Sequence, residues 1–519
     1  MGRFPEFHLL KFHPSANLSR DRIGWPEAMT VATWPVVRWG GYTLTLLYVI
    51  YYFSNAATPG NSVKYPLGWW GWWDQSQYIA SARNVLAGNL TPDGHWYPLG
   101  YSIVAAPFVR FWPAHGFFFL DLACLLGAYA GFLSFARRAG VDPFATVVIF
   151  ILATFAYASI GQTWAEPWNS TLLAALIWGL LFSAASLLPG QETWQPWRLT
   201  LLGLLAASVP LVRPTDAVLS VTAVGLVLVA GLNARLLRVQ HLLWMALGAA
   251  VAVVPYAVLY LRIYGFHLTP YVLHERTLGF VFSRLGWKTY LLLIEPRPWY
   301  TVGESLLTRF PWLVLSFAEF VLLAVRSPRQ KGRAALILLG IMILAYWGLY
   351  FAYVDLLPSN IWRYHVVHYL KWSLPGLGLL AWLFVLRVWR RPRWHHGLVL
   401  LLVICILSVR MVPVRAAPDD TVEMVQYAAS PTPGWDQVYQ RDWSFTDALG
   451  SLGELGIRAL PDSQGVRLLP QRRSIVGVLT WADPPVEVTG PGVRWASRVE
   501  IGYPCWLPPY PCRRLQPNG

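Results

Sequence analysis

Eleven apolar stretches run along the chain, at 40–57, 117–136, 142–161, 168–188, 199–212, 214–231, 241–261, 311–326, 334–354, 370–389 and 397–412. A helix needs about 20 such residues to cross the hydrocarbon layer, and tilted or broken helices depart from that length. The pattern predicts an all-α polytopic membrane core over 40–412 with about eleven transmembrane helices. Only Arg213-Pro214 parts the fifth stretch from the sixth. Proline disfavours helix at the residue before it, so a tight turn or a broken helix is expected there.

Basic residues set the sidedness. Counting from an N-terminal segment (1–39) inside the cell, every second gap should carry positive charge. Those gaps hold Arg137-Arg138, Trp197-Arg198, Arg235 with Arg238, Arg326 through Arg333, and Arg387 through Arg393. The opposite gaps hold acidic and aromatic residues. Residues 1–39 are polar and basic and read as a cytoplasmic segment rather than a secretory signal. In a bacterium this is a multi-pass protein of the inner (cytoplasmic) membrane, N-terminus cytoplasmic, with 413–519 in the periplasm.

Three external segments, 58–116, 262–310 and 413–519, are too long to be turns. In the first, Ala80–Ala87 has a short helical pattern stopped by Gly88 and Pro92. Gly100–Trp112 is apolar but short, as an interfacial or re-entrant helix would be. In the last, Ser474–Thr480, Val486–Thr489 and Val493–Ile501 read as strands, giving a small α/β external C-terminal domain over 413–519.

Composition agrees with the membrane class. The chain is 55% hydrophobic and 13% charged, against about a quarter charged in soluble proteins. Mean hydropathy is +0.42, and the 29 Trp suit a headgroup layer that favours indoles. A net charge of +15 would also suit nucleic acid, but the charges sit in short clusters between apolar runs, as topology signals do. The partner is therefore the lipid bilayer and not nucleic acid. Cys124 and Cys405 lie in apolar runs and read as inert thiols. Cys505 and Cys512 flank Trp506–Pro511 and are spaced to close a small disulfide loop in an oxidising compartment. The sequence shows no internal repeat, which counts against an inverted-repeat transporter.

The densest polar feature is Gly68-Trp-Trp-Gly-Trp-Trp-Asp-Gln-Ser-Gln-Tyr78, followed by His95-Trp-Tyr-Pro-Leu-Gly-Tyr101. Asp74 stands among four tryptophans, where poor solvation should raise its basicity. Such a carboxylate can take the proton of a hydroxyl as that hydroxyl attacks. The bland alternative is an N-cap acid that starts a helix at Gln75.

Asp74-x3-Tyr78, Leu86-Ala-Gly88 and Tyr97-Pro-Leu-Gly-Tyr101 with the apolar run into Pro107 resemble the first loop of GT-C glycosyltransferases. They are most similar to the bacterial branch related to protein O-mannosyltransferases and aminoarabinose transferases. Trp164-Ala-Glu-Pro167, Arg213-Pro-Thr215, Tyr264-Gly265 and Arg363-Tyr-His365 before Leu374-Pro375 follow in order, so the resemblance covers roughly residues 40–390.

The resemblance implies that Asp74 is the catalytic base, with Tyr78, His95, Tyr97 and Tyr101 beside it as substrate-binding candidates. It implies a polyprenyl-phosphate sugar donor, inversion at the anomeric carbon, and an envelope glycan or glycolipid acceptor. The alternatives are a lipid-linked sugar transporter or flippase, and a protein O-glycosyltransferase. Aminoarabinose transferases usually carry a Lys where Tyr97 stands, and protein O-mannosyltransferases an Asp-Glu pair where Asp74 is followed by Gln75. The class is therefore implied and the sugar is not.

A phosphate leaving group calls for fixed cations. Candidates are Lys64, Arg213, Arg276, Arg284, Arg297 and Arg363, with His365 and His368. Arg213 leads them because it lies at a break between apolar runs; its structural alternative is a pair with Asp216. Glu166, beside Pro167, is the second acid and a candidate for holding a substrate hydroxyl; its alternative is a helix-start acid favoured by the dipole. His365 and His368 are one helical turn apart, a spacing that also suits a metal. No third ligand stands near them, so no cofactor is assigned and a divalent cation is left open.

Overall fold

The computed structural model describes residues 27–55, 73–188, 194–273, 279–280, 282, 285–294, 304–325, 332–353, 356, 360–363 and 365–390, together with four short strands after them. Helices follow the apolar pattern wherever it falls on these residues. They are α1 (Glu27–Ser54), α2 (Trp73–Ala87), α3 (Leu99–Phe111), α4 (Phe118–Arg138), α5 (Pro143–Phe155), α6 (Ala158–Ala165), α7 (Asn169–Ala185), α8 (Pro196–Val212), α9 (Ala217–Asn233) and α10 (Val239–Tyr264). Further helices span Leu285–Leu293, Leu306–Arg309, Leu313–Val325, Arg333–Ala352, Asn360–Arg363 and Ser373–Arg390.

Local chemistry sets the ends. Asp142 accepts from the Phe144 amide and Pro143 fills the first position of α5, a donor-free site that proline suits. Gly88 (φ 69°) and Gly265 (φ 60°) have positive φ after α2 and α10, which glycine adopts without a Cβ penalty. Arg213 is extended (φ −149°, ψ 110°) before Pro214, so the expected break between α8 and α9 is present.

The expected number of spans is corrected. Among the described residues, four helices are long and apolar enough to cross a membrane: Phe118–Arg138, Pro214–Asn233, Val239–Tyr264 and Arg333–Ala352. A fifth is reached only if α5 and α6, bent by 88°, count as one span. For α7 and α8 the reason is length: each has 17 residues, which at 1.5 Å per residue falls short of a ~30 Å core. The 142–161 stretch is not one rod, because the chain turns at Ala156–Tyr157. The last expected span, 397–412, lies outside the described residues.

The short first-loop helix expected at Ala80–Ala87 is the second half of α2, and Gly100–Trp112 matches α3. In the C-terminal segment Met424–Gln426 pairs in parallel with Gly477–Leu479, and Ile457–Arg458 pairs antiparallel with Glu487–Val488. The expected strands at 474–480 and 486–489 contain two of these; 493–501 lies outside the described residues.

The chain divides into two compact units. The first comprises Met1–Thr277, Ala318–Trp347 and His368–Leu380. Here α4 packs along α7 and α8 along α10. Gly131 lets α4 seat on Trp178, whose indole donates to the Trp372 carbonyl at 3.1 Å. Gly203 and Gly248 are the reciprocal contact of α8 and α10: a Cβ on either would run into the backbone carbonyl of Met245 or Thr200. Small residues allow such close backbone approach where lipid supplies no hydrophobic drive. The second unit comprises Leu278–Phe317, Gly348–Val367 and Ala381–Gly519. In it Lys288 donates to the Tyr353 carbonyl, and Trp362 donates to the Glu304 carbonyl at 2.7 Å.

The first loop is fastened at His95, which is fully buried. One ring nitrogen lies 2.8 Å from Ser81 Oγ, the other 2.9 Å from the Asn89 carbonyl, and the His95 carbonyl accepts from Tyr264 at 2.5 Å. Burial lowers the imidazole pKa from its ordinary 6.5, against the opposing effect of the Asn89 bond.

Two outcomes follow. Gly203→Ala is expected to destabilise by about 1–3 kcal/mol through overpacking, read as a lowered thermal midpoint in detergent. For His95, the unfolded chain takes up the proton first as pH falls. Its contribution is therefore full above about pH 6.5 and is lost as pH drops through the window just below. The midpoint should decline from about pH 7.5 to about pH 5.5, and His95→Gln should flatten part of that slope.

Candidate active site

Asp74 stands in the first turn of α2, where unpaired backbone N–H groups and the helix dipole favour an anion. The helix begins at Trp73, one residue before Asp74, so the acid is inside the helix rather than capping it. Its side chain is half-buried, and Tyr97 Oη donates to its Oδ1 at 2.6 Å. Pro98 (φ −51°) directs the chain into α3, which leaves Tyr97 and Tyr101 four residues apart. They serve different acids: Tyr101 Oη reaches both oxygens of Asp121, at 2.8 and 3.0 Å. The Tyr78 ring lies against both, 4.8 Å from Tyr97 and edge-on to Tyr101 at 5.2 Å. Tyr271 adds a ring 5.1 Å from Tyr97.

Burial first, and then the charge of Asp74, hold the Tyr97 and Tyr78 phenols well above the ordinary range. Tyr97 therefore stays protonated and remains a donor to Asp74 at any working pH. Arg213 acts on Tyr78 in the opposite sense. The acid and the cation both bear on one buried phenol.

A second polar cluster forms where α6 and α7 are separated by Glu166-Pro167-Trp168. Glu166 is buried and in extended conformation (φ −83°, ψ 147°). Asn55 donates to its Oε1 at 3.1 Å and the Trp168 indole to its Oε2 at 2.9 Å. His368 stacks on Trp168, ring centroids 3.9 Å apart, with Nδ1 3.0 Å from Ser170 Oγ. Arg213, 3% exposed, donates to Asn169 Oδ1 and, at 3.5 Å, to Tyr346 Oη. It packs over the Tyr369 ring at 4.6 Å. The Asp216 pairing that the sequence offered as its structural alternative is present at 3.7 Å.

Sequence reasoning passed over two residues here. Lys371 is fully buried, donating to the Thr163 carbonyl at 2.7 Å and to Thr171 Oγ1 at 2.6 Å. It lies within electrostatic range of Asp121, Arg213 and Glu166. Asp121 is likewise buried, inside α4. Both fell inside stretches scored as spans, and a charge within an apolar run was itself the available signal.

The structure brings Asp74, Tyr78 and Tyr97 together, and Glu166 with Lys371. Tyr101 engages Asp121 and not Asp74. His95 fastens the loop, as described above, and has no contact with Asp74. Arg276, with Lys64, Arg284 and Arg297, lies outside the described residues, as do Cys505 and Cys512. So do Trp69, Trp70 and Trp72, three of the four tryptophans around Asp74; Trp73 is described as helical backbone. Arg363 ends the short helix Asn360–Arg363 of the second unit, and its side chain is not described. His365, in the same unit, is a non-glycine residue at φ 55°. Cys124 is a buried free thiol. Among the described residues no three His, Cys, Asp or Glu side chains gather as a metal site would require.

No protein-family model matches the chain, and no curated protein does. It is similar to the crystal structure of ArnT from Cupriavidus metallidurans bound to undecaprenyl phosphate, at 14% identity and a TM-score of 0.40, over 75% of this chain and 65% of that one. It is also similar to the apo structure of the same protein, at 15% identity and a TM-score of 0.37, over 66% of this chain and 59% of that one. The chain spans less than two thirds of the length of either.

Proposed function

We propose that this chain is an inverting GT-C-type membrane glycosyltransferase that moves a sugar from a polyprenyl-phosphate donor to an envelope glycan or glycolipid. The observation that carries the reading is the Asp74 carboxylate, half-buried in the first turn of α2 and oriented by the neutral Tyr97 phenol at 2.6 Å. The first-loop motif that led to Asp74 includes Tyr97, and the two meet in space.

In this chemistry the acceptor hydroxyl oxygen bonds to the anomeric carbon while the bond from that carbon to the phosphate oxygen breaks. The hydroxyl proton goes to Asp74 and the electron pair to the phosphate. Attack opposite the leaving group inverts the centre. Negative charge grows on the phosphate, and a preorganised cation lowers the barrier there. Arg213 suits that task, since its charge acts on the same Tyr78 phenol as that of Asp74. Glu166 suits a substrate hydroxyl, with its two oxygens held by Asn55 and Trp168.

A second reading has its own support. Asp121 and Lys371 are buried ionisable residues within apolar stretches, as a lipid-linked sugar transporter or flippase would use. Transfer assays separate the two. With purified protein in nanodiscs and a panel of polyprenyl-phosphate sugars, Asp74→Asn is expected to lower transfer by about 10²–10⁴-fold, the usual worth of a positioned base, while polyprenyl phosphate still binds. Near-normal transfer by Asp74→Asn overturns the base assignment. Tyr97→Phe should cost roughly tenfold, in line with losing one hydrogen bond to a charged group. A wild type that moves lipid-linked sugar across the bilayer and transfers none of the panel supports the second reading.

A further inference from the structure

A donor aimed at Asp74 requires that the Tyr97 ring itself be held, and the side chains that hold it end on a group the proposed chemistry does not use. Tyr97 lies 4.8 Å from the Tyr78 ring, and Tyr78 meets Tyr101 edge-on at 5.2 Å. Tyr101 Oη donates to the two oxygens of Asp121 at 2.8 and 3.0 Å. Phe117 closes on Tyr101 with ring centroids 4.6 Å apart. Tyr101 is fully buried, and Asp121, inside α4, is 1% exposed.

Stability does not account for Asp121. A carboxyl group inside an apolar helix is unfavourable unless its oxygens are met, and a well-packed apolar pair of similar size often serves the fold as well or better. Among the described residues the Tyr101 phenol is the donor that meets them. Lys371 is in electrostatic range but donates elsewhere, to Thr163 and Thr171. Asp121 is not needed to seat α3 either. Ser102 Oγ ties α3 to the Tyr78 carbonyl of α2 at 3.1 Å. Gly100 packs so closely on α8 that a Cβ there would come within 2.6 Å of the Leu211 carbonyl oxygen.

What the bond adds is direction. Two contacts to one carboxyl fix the tip of the Tyr101 ring, which packing alone leaves free to rock. Contacts between aromatic rings depend on their mutual orientation, so a fixed Tyr101 sets Tyr78, and Tyr78 sets the tilt of Tyr97. That tilt decides whether Tyr97 Oη stays 2.6 Å from Asp74 Oδ1. We infer that Asp121 is a positioning residue: through Tyr101 and Tyr78 it sets the aim of the Tyr97 phenol that orients Asp74. Its effect on rate rests on the transferase reading, whereas the coupling is a property of the fold.

Coupling between residues is shown by double-mutant cycles and not by a path of contacts. With the purified full chain in nanodiscs and the best donor of the polyprenyl-phosphate sugar panel, Asp121→Leu is expected to lower kcat about five- to tenfold and leave KM within about twofold. Asp121→Asn, whose carboxamide oxygen still accepts from Tyr101, should recover at least half of the wild-type kcat. In a Tyr97→Phe background Asp121→Leu should cost less than about twofold, since both act on one hydrogen bond. Tyr101→Phe removes the same contact from the other side and serves if Asp121→Leu does not fold. Tyr129→Phe strips another phenol bond from α4, to the Val37 carbonyl at 3.0 Å, and should keep the wild-type kcat. A second readout needs no transfer: with 3-fluorotyrosine in place of Tyr97, the fluorine resonance should move in Asp121→Leu by at least half of its shift in Asp74→Asn. Three results overturn the inference: an unmoved resonance in both Asp121→Leu and Tyr101→Phe, full additivity with Tyr97→Phe, or equal losses in Asp121→Asn and Asp121→Leu. A wild type that transfers none of the panel sinks the transferase reading instead, and the fluorine resonance then decides the coupling alone.

Discussion

A lysine with no exposed surface has to be answered by its surroundings, and Lys371 organises the middle of the first unit for that reason. An isolated ammonium in such a place would cost several kcal/mol in lost hydration. Lys371 recovers it from the last turn of α6 through the Thr163 carbonyl and from the first turns of α7 through Thr171. These two contacts lie on either side of Glu166-Pro167. One side chain therefore fixes both ends of the break that displays Glu166. Asp121 and Glu166 are in its electrostatic range, and Trp164 lies under it at 4.8 Å. Asp121 in turn holds Tyr101, and Tyr101 shares the Tyr78 ring with Tyr97. The chain of contacts runs from the buried lysine to the carboxylate of the first loop.

The two proline breaks make this possible. A continuous helix satisfies its own backbone and presents side chains only around its flanks. Where Pro167 and Pro214 follow extended residues, Glu166 and Arg213 are set at helix ends, where the backbone no longer closes on itself. Polar partners then have to be supplied locally, and Asn55, Trp168, Asn169 and Tyr346 supply them. The same breaks shorten α6, α7 and α8. For α7 and α8, helix shortness and the polar clusters thus have one origin.

Much of this was legible in the chain and some was not. Runs of apolar residues located α4, α5, α7 to α10 and Arg333–Ala352, because an apolar helix leaves a strong local pattern, but not the start of α1 at Glu27 or the helices Leu285–Leu293, Leu306–Arg309 and Asn360–Arg363. Residue type and the order of motifs singled out Asp74, Tyr97, Glu166 and Arg213. Apart from the Arg213–Asp216 pair, the partners were not legible. Tyr97 and Tyr101 look equivalent in Tyr97-Pro-Leu-Gly-Tyr101, yet one serves Asp74 and the other Asp121, since that choice depends on which helices pack beside α3. Hydropathy averaging hid Asp121 and Lys371: a single charge barely changes the mean of an apolar window, while its energetic effect on packing is large.

Tyr97 also bears on how the proposed chemistry divides its charges. A lysine at that place would put a full positive charge beside the acid and hold its lone pairs by ion pairing, so that proton uptake would be opposed by a nearby cation. A phenol kept neutral by burial and by the acid itself gives direction without that opposition. Asp74 can then accept a proton while Tyr97 continues to hold one oxygen. The positive charge that the departing phosphate needs has to come from elsewhere. Among the described candidates, Arg213 meets the requirement for a fixed cation, because Asn169, Asp216 and the Tyr369 ring hold its guanidinium before any substrate arrives.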